Sequence, residues 1–128
     1  NAKTRLRMIT EIETTAKNAA ATLGCDVSME LRPGYPPTLN HESDALFARD
    51  IITDMLGADG LETDMSPVMG AEDFSFMLEK KPGAYVWLGA GLQSENLHSP
   101  HFDFNDDLLP IGASFWVQLA QSKLTQST

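Results

Sequence analysis

The sequence predicts an α/β fold, with helices laid over a sheet and a shorter helix-and-strand segment in front of it. Three observations carry that expectation. Apolar residues recur at helical spacing in three long stretches. Two shorter runs, CDVSMELR at residues 25–32 and AYVWLGAG at residues 84–91, have the pattern of strands. Between the first strand and the remainder, PGYPPTLN at residues 33–40 places three prolines and a glycine in eight residues, which blocks helix and central-strand pairing alike. The chain is therefore expected to divide into residues 1–36 and residues 37–128.

The elements follow in order. In residues 4–24, Leu6, Ile9, Ile12, Ala16, Ala19, Ala20 and Leu23 share one helical face, with Thr4 as the expected N-cap and Gly24 as the stop. CDVSMELR then alternates Cys25, Val27, Met29 and Leu31 with polar residues, so one face is expected to be buried and the other wet. After the proline-rich connector, Asn40 or Ser43 is expected to cap a helix whose Phe47, Ile51, Ile52, Met55 and Leu56 gather on one side before Gly57. A weak strand is expected at residues 61–65.

GAEDFSFMLEKKPG then puts Glu72 and Asp73 in a first turn and Lys80 and Lys81 in a last turn, the charge order that suits a helix dipole. The glycine-bounded run AYVWLGAG reads as a strand covered on both faces. Pro110 suits the first turn of a closing helix through Ile111, Phe115, Leu119 and Leu124. Phe74, Met77, Val86, Leu88, Phe115 and Leu119 are the expected core of this second part.

The 128 residues carry 42% hydrophobic residues, enough for a core, and a formal charge of −9. That charge argues against nucleic acid and anionic membranes as partners, because both are met by basic patches. No apolar run approaches a membrane span, and the opening NAKTRLRM has no signal-peptide h-region, so a cytoplasmic location is expected. The chain opens on Asn1, not methionine, so a longer parent is expected. Cys25 is the one cysteine, which leaves no internal disulfide and no metal knuckle, and a small buried hydrophobe is its expected role. With no nucleophile elbow in the sequence, serine or cysteine nucleophilic hydrolysis is not expected.

The chemistry concentrates in LHSPHFDFNDDLLPIG, residues 97–112, which crowds His98, His101, Asp103, Asp106 and Asp107 after the second strand run. In open α/β sheets, ligands bind beyond the carboxyl ends of strands, where this loop lies. A histidine in a polar loop commonly does no more than hydrogen-bond, so the residue alone decides little.

The arrangement decides more. MGAEDFSFMLEKKPGAYVWLGAG followed by LHSPHFDFNDDLLPIGASF resembles the aminoacylase/carboxypeptidase-like metallohydrolases with two co-catalytic metals, and most closely their N-acyl amino acid amidohydrolase branch, which includes hippurate hydrolases and auxin-conjugate hydrolases. GYPPTLN resembles the segment by which that branch leaves its lid domain for its catalytic domain. The resemblance implies that residues 1–36 are the second half of a ferredoxin-like lid, and residues 37–128 the C-terminal part of an α/β metallopeptidase catalytic domain.

It implies further that His98 is a metal ligand, and that two divalent ions (zinc, manganese or nickel) serve the parent protein. The turn at Gly70, Ala71 and Glu72 is implied to face the substrate, an N-acyl amino acid, with its helix-start amides open to a substrate carboxylate. Glu72 and Asp73 read equally as caps. His101 stands where the family has no particular histidine, and Pro100 prevents a regular helical HxxH display. Asp103, Asn105, Asp106 and Asp107 match a DFND run that reads as a loop brace and helix cap, with one of them available as an acceptor that orients His98.

The family's general-base glutamate is expected upstream, since the chain has no CxH and no Glu-Glu pair, so no catalytic residue is expected here. The isolated chain is accordingly expected to be inactive and to hold no metal tightly. Half a lid implies undercovered apolar faces, and the family's lids imply a homodimer. Two alternatives stay open: a non-catalytic association or binding module, and a related dimetal peptidase or deacetylase.

Overall fold

The computed structural model describes residues 2–125; Asn1 and residues 126–128, the outer ends of the two expected segments, lie outside the described residues. Among the described residues four helices appear in order: α1 (Ala2–Thr22), α2 (Glu42–Leu56), α3 (Phe74–Leu78) and α4 (Leu108–Thr125). A single 3-10 turn (Ala58–Gly60) follows α2.

α1 is held by local interactions. Arg7 and Glu11 pair at 2.7 Å, and Glu13 and Lys17 at 2.6 Å, both four residues apart on the helix surface. Its end is a Schellman motif: Gly24 takes φ 67, its amide donates to the Ala21 carbonyl, and the Cys25 amide donates to the Ala20 carbonyl. Only glycine adopts that left-handed position without a Cβ penalty. The helix starts at Ala2, so Thr4 lies inside it and is not the expected cap. None of its residues is buried, and Leu6 and Ile12 on the apolar face are 66% and 56% exposed. A hydrogen bond from the Arg5 guanidinium to the Tyr35 carbonyl, 3.1 Å, ties it to the connector.

The core lies between α2 and α4. Ala48, Ile51 and Phe115 are buried there, with Phe47, Ile52, Met55 and Leu119 packed around them. The Lys123 ammonium stands 4.9 Å from the centre of the Phe47 ring, closing one end with a cation–π contact. Pro110 sits in the first turn of α4, as its missing amide hydrogen favours. The N-cap of α2 is His41, whose side chain makes no capping bond, and Ser43 instead bonds to Asp44, so neither expected cap operates.

Several other expectations are corrected. No strand forms among the described residues. Residues 25–32, 61–65 and 84–91 run without regular pairing, and an extended segment whose backbone finds no neighbouring strand is not a strand, whatever its side-chain pattern. Cys25 is exposed, because the face on which it lies has nothing against it. Met77, Val86 and Leu88 are exposed too, at 63%, 39% and 48%, and Phe74 and Leu119 are half-buried, leaving Phe115 as the buried member of the expected core. The Leu88 Cδ2 lies 3.8 Å from the point a β-carbon on Gly112 would occupy, which places Leu88 beside α4. α3 is shorter than expected, and Lys80 and Lys81 follow it in a turn. Among the described residues no helix is long and apolar enough to cross a membrane.

This distribution of burial predicts unequal truncation costs. Phe115→Ala should lower stability by about 3–5 kcal/mol, the usual range for emptying a buried aromatic site. Leu88→Ala should cost clearly less, because water already reaches its side chain. Urea unfolding followed by circular dichroism measures both, and equal losses would contradict the placement of the core.

Candidate functional site

The histidine loop leaves the run at residues 84–91 through Gly91, which has φ 101, and reaches α4 through Asn105. His98 occupies the third position of a turn closed by the Ser99 amide donating to the Asn96 carbonyl at 3.0 Å. It has φ 69, the one positive φ outside glycine among the described residues. A histidine there is uncommon and marks a backbone set by its surroundings. The next turn follows directly: the Phe102 amide donates to the Ser99 carbonyl at 3.1 Å, and the His101 amide to Ser99 Oγ at 3.2 Å. His98 and His101 are both exposed.

Asn105 performs both tasks read from the DFND run. Its Nδ2 donates to the Ala90 carbonyl at 3.3 Å, while its Oδ1 accepts from the Asp107 amide at 3.1 Å. Its own carbonyl accepts from the Leu108 amide at 3.1 Å, starting the turn that leads into α4. Asp103, Asp106 and Asp107 are exposed.

The second element is the turn before α3. Glu72 Oε1 accepts from the Phe74 amide at 3.1 Å and Oε2 accepts from the Tyr85 hydroxyl at 3.0 Å. The buried Ser75 hydroxyl donates to the Glu72 carbonyl at 2.5 Å. The Phe74, Ser75 and Phe76 amides are all paired within the chain, to Glu72 and Asp73, so Glu72 itself occupies the position considered for a substrate carboxylate. The Phe74 amide and then the Tyr85 hydroxyl hold the Glu72 carboxyl below its ordinary value, against a smaller opposing effect of burial. Burial first, and then the Glu72 carboxylate, push the Tyr85 hydroxyl up.

Tyr85 is fixed in turn by residues that sequence reasoning missed. The Asn40 side chain donates to the Tyr85 carbonyl at 2.9 Å and accepts from its amide at 2.7 Å. His41 Nδ1 accepts from the Gly83 amide at 3.2 Å, and the His41 amide donates to the Gly83 carbonyl at 3.0 Å. As an acceptor, Nδ1 carries no hydrogen, so the neutral ring bears it on Nε2. Asn40 was considered only as a cap; a polar residue following a proline-rich stretch is the sole local signal, and it does not name a partner 45 residues away.

Gly70, Ala71 and Glu72 thus lead into the turn before α3, and His98 lies in a separate loop. Among the described residues no three histidine, cysteine, aspartate or glutamate side chains lie together as a metal site would require. A catalytic zinc commonly takes three protein ligands, so the described residues do not on their own fit a divalent-metal centre.

Residues 5–122 match the peptidase family M20/M25/M40. The chain belongs to this family. It is 34% identical over 126 residues to IAA-amino acid hydrolase ILR1-like 5 of Arabidopsis thaliana, covering 95% of this chain and 29% of that protein. It is 31% identical over 119 residues to a hippurate hydrolase of Campylobacter jejuni, covering 89% of this chain and 30% of that protein. With an N-acetyldiaminopimelate deacetylase of Streptococcus suis it shares 35% identity over 101 residues, 77% of this chain and 26% of that protein. The M20 chain thus spans under a third of the length of these relatives.

The Glu72 contacts have a definite pH dependence. A carboxyl whose pKa is lowered on folding adds stability above its unfolded value, near 4.5, and loses it as pH falls through the lowered folded value. Tyr85→Phe should move the Glu72 midpoint upward, yet only part of the way, because the Phe74 amide has the larger effect. Carbon-detected NMR titration of the Glu72 carboxyl tests this, and an unmoved midpoint would contradict the hydrogen bond.

Proposed function

We propose that this chain is the C-terminal portion of a metal-dependent amidohydrolase that cleaves the amide bond of N-acyl amino acids or similar conjugates. The observation that carries the reading is the M20/M25/M40 match over residues 5–122, joined to relatives named as hydrolases of IAA-amino acids and hippurate. The substrate class follows from those names, and the deacetylase among the relatives keeps N-acetyl substrates within it.

In this reading the complete protein uses two divalent ions, zinc, manganese or nickel, and His98 is this chain's one donor to them. Its exposure and its place on a turn leave the imidazole open to groups from elsewhere in the protein. Gly70, Ala71 and Glu72 form the substrate-side turn, with Glu72 braced by Tyr85. Residues 1–36 are half of a lid through which the protein forms a homodimer, and the open apolar face of α1 supports that part of the proposal. The general-base glutamate belongs to the rest of the protein, which we place in the cytoplasm.

Two measurements test the reading. In the complete protein, His98→Ala should lower bound metal and hydrolysis together, by more than the roughly 10–100-fold typical of losing an outer partner of a ligand. His101→Ala should leave bound metal nearly unchanged. Equal metal loss in both variants would remove the distinction between them. Separately, the 128-residue chain, supplied with divalent metal, should release no amine from hippurate or an IAA–amino acid conjugate above a metal-only blank. Turnover abolished by His98→Ala would show that the chain already contains a complete site.

A further inference from the structure

We infer that the groove between α3 and the chain at Pro82 and Gly83 binds an aryl carboxylate, with the ring against its apolar lining and the carboxylate met by Lys80 and Lys81. The groove has a volume of about 500 Å³, within the range of small-molecule sites. Phe74, Phe76, Met77 and Pro82 give it an apolar surface, and Lys80 and Lys81 are its charged groups. None of Gly70, Ala71, Glu72 and His98 lines it, so the inference does not rest on the proposed hydrolysis.

The walls are held by backbone bonds. The Lys80 and Lys81 amides both donate to the Met77 carbonyl at 2.9 Å, which fixes the turn that carries the two ammonium groups. Gly83 is clamped by His41, whose amide donates to the Gly83 carbonyl at 3.0 Å and whose Nδ1 accepts from the Gly83 amide at 3.2 Å. A β-carbon on Gly83 would come within 3.4 Å of Leu78 Cδ2, so the buried Leu78 joins the two walls. A groove shaped this way exists before a ligand arrives.

Its lining selects the ligand. Two phenylalanine rings and a thioether offer a flat ring edge-on and sulfur contacts beyond plain apolar burial, which an alkyl chain does not gain. Among the described residues no carboxylate lines the groove, and neither Lys80 nor Lys81 forms an ion pair. In a chain of formal charge −9, two cations beside an apolar surface suit an anion with an aromatic body.

The probe is phenylacetate, with phenylacetamide as its neutral counterpart and hexanoate as an alkyl acid. In the complete protein with isotope-labelled methionine methyl groups, phenylacetate should move the NMR signal of Met77, assigned by its loss in Met77→Leu. Phenylacetamide and hexanoate should bind more weakly. Lys80→Gln and Lys81→Gln together should raise the phenylacetate dissociation constant roughly two- to thirtyfold, as two exposed ion pairs allow, with helical circular dichroism unchanged. His98→Ala should leave the Met77 shift and its midpoint as they are. An unmoved Met77 signal, or a double lysine variant that binds as tightly as the parent, overturns the inference. Equal binding of phenylacetamide removes the carboxylate from it, tighter binding of hexanoate removes the ring, and either result overturns it. Loss of the shift in His98→Ala would assign the acid to the histidine loop and overturn the groove as its site.

Discussion

The carboxamide of Asn40 meets both backbone groups of Tyr85, and the arrangement of the second part of the chain is built outward from that join. An extended segment with no neighbouring strand has unpaired amides and carbonyls, and here a side chain supplies one of each. His41 extends the pairing to Gly83, and α2 starts at the next residue. On the far side, Tyr85 reaches Glu72 and so locates the turn ahead of α3. α2 then packs on α4 through Ala48, Ile51 and Phe115. A junction of five hydrogen bonds thus connects the only buried apolar core among the described residues to the glutamate turn.

What was legible in the sequence divides by the range of the interaction. α1, α2 and α4 were readable because helical hydrogen bonds link residues four apart, and in α2 and α4 the apolar period also records which face is covered. The runs at residues 25–32 and 84–91 have strand patterns, but a strand exists only through a partner, and nothing in the local sequence shows whether one is present. The same reasoning explains Cys25, Val86 and Leu88: their hydrophobicity states a preference for burial, while their exposure reflects what lies opposite. At the site, the position of His98 in a loop was legible and its left-handed backbone was not, since histidine does not announce a positive φ as glycine does. The brace and cap at Asn105 were read from the DFND run, whereas the pairing of Asn40 with Tyr85 left no local trace.

The family match bears on the proline-rich connector. It begins at residue 5 and continues to residue 122, so the segments on both sides of PGYPPTLN belong to one family pattern. The connector is therefore an internal feature of that pattern. Its contacts are few but directed: Tyr35 receives the Arg5 guanidinium on its carbonyl and sets its ring edge-on to Phe76 at 5.7 Å. Three rigid prolines limit the conformations it must give up to make them.

The separation of Ala48 and Ile51 from Phe115 has a consequence for synthesis. During translation α1 can form as soon as it leaves the ribosome, because its support is local. α2 must wait with its apolar face open until the phenylalanine that covers it emerges, more than sixty residues later, an interval of several seconds at about 5–20 residues per second. In the later part of that delay the extended, apolar stretch around Trp87 is also present without cover. The nascent chain is thus most in need of chaperone shielding just before α4 appears, and slowing translation there would lengthen the exposure.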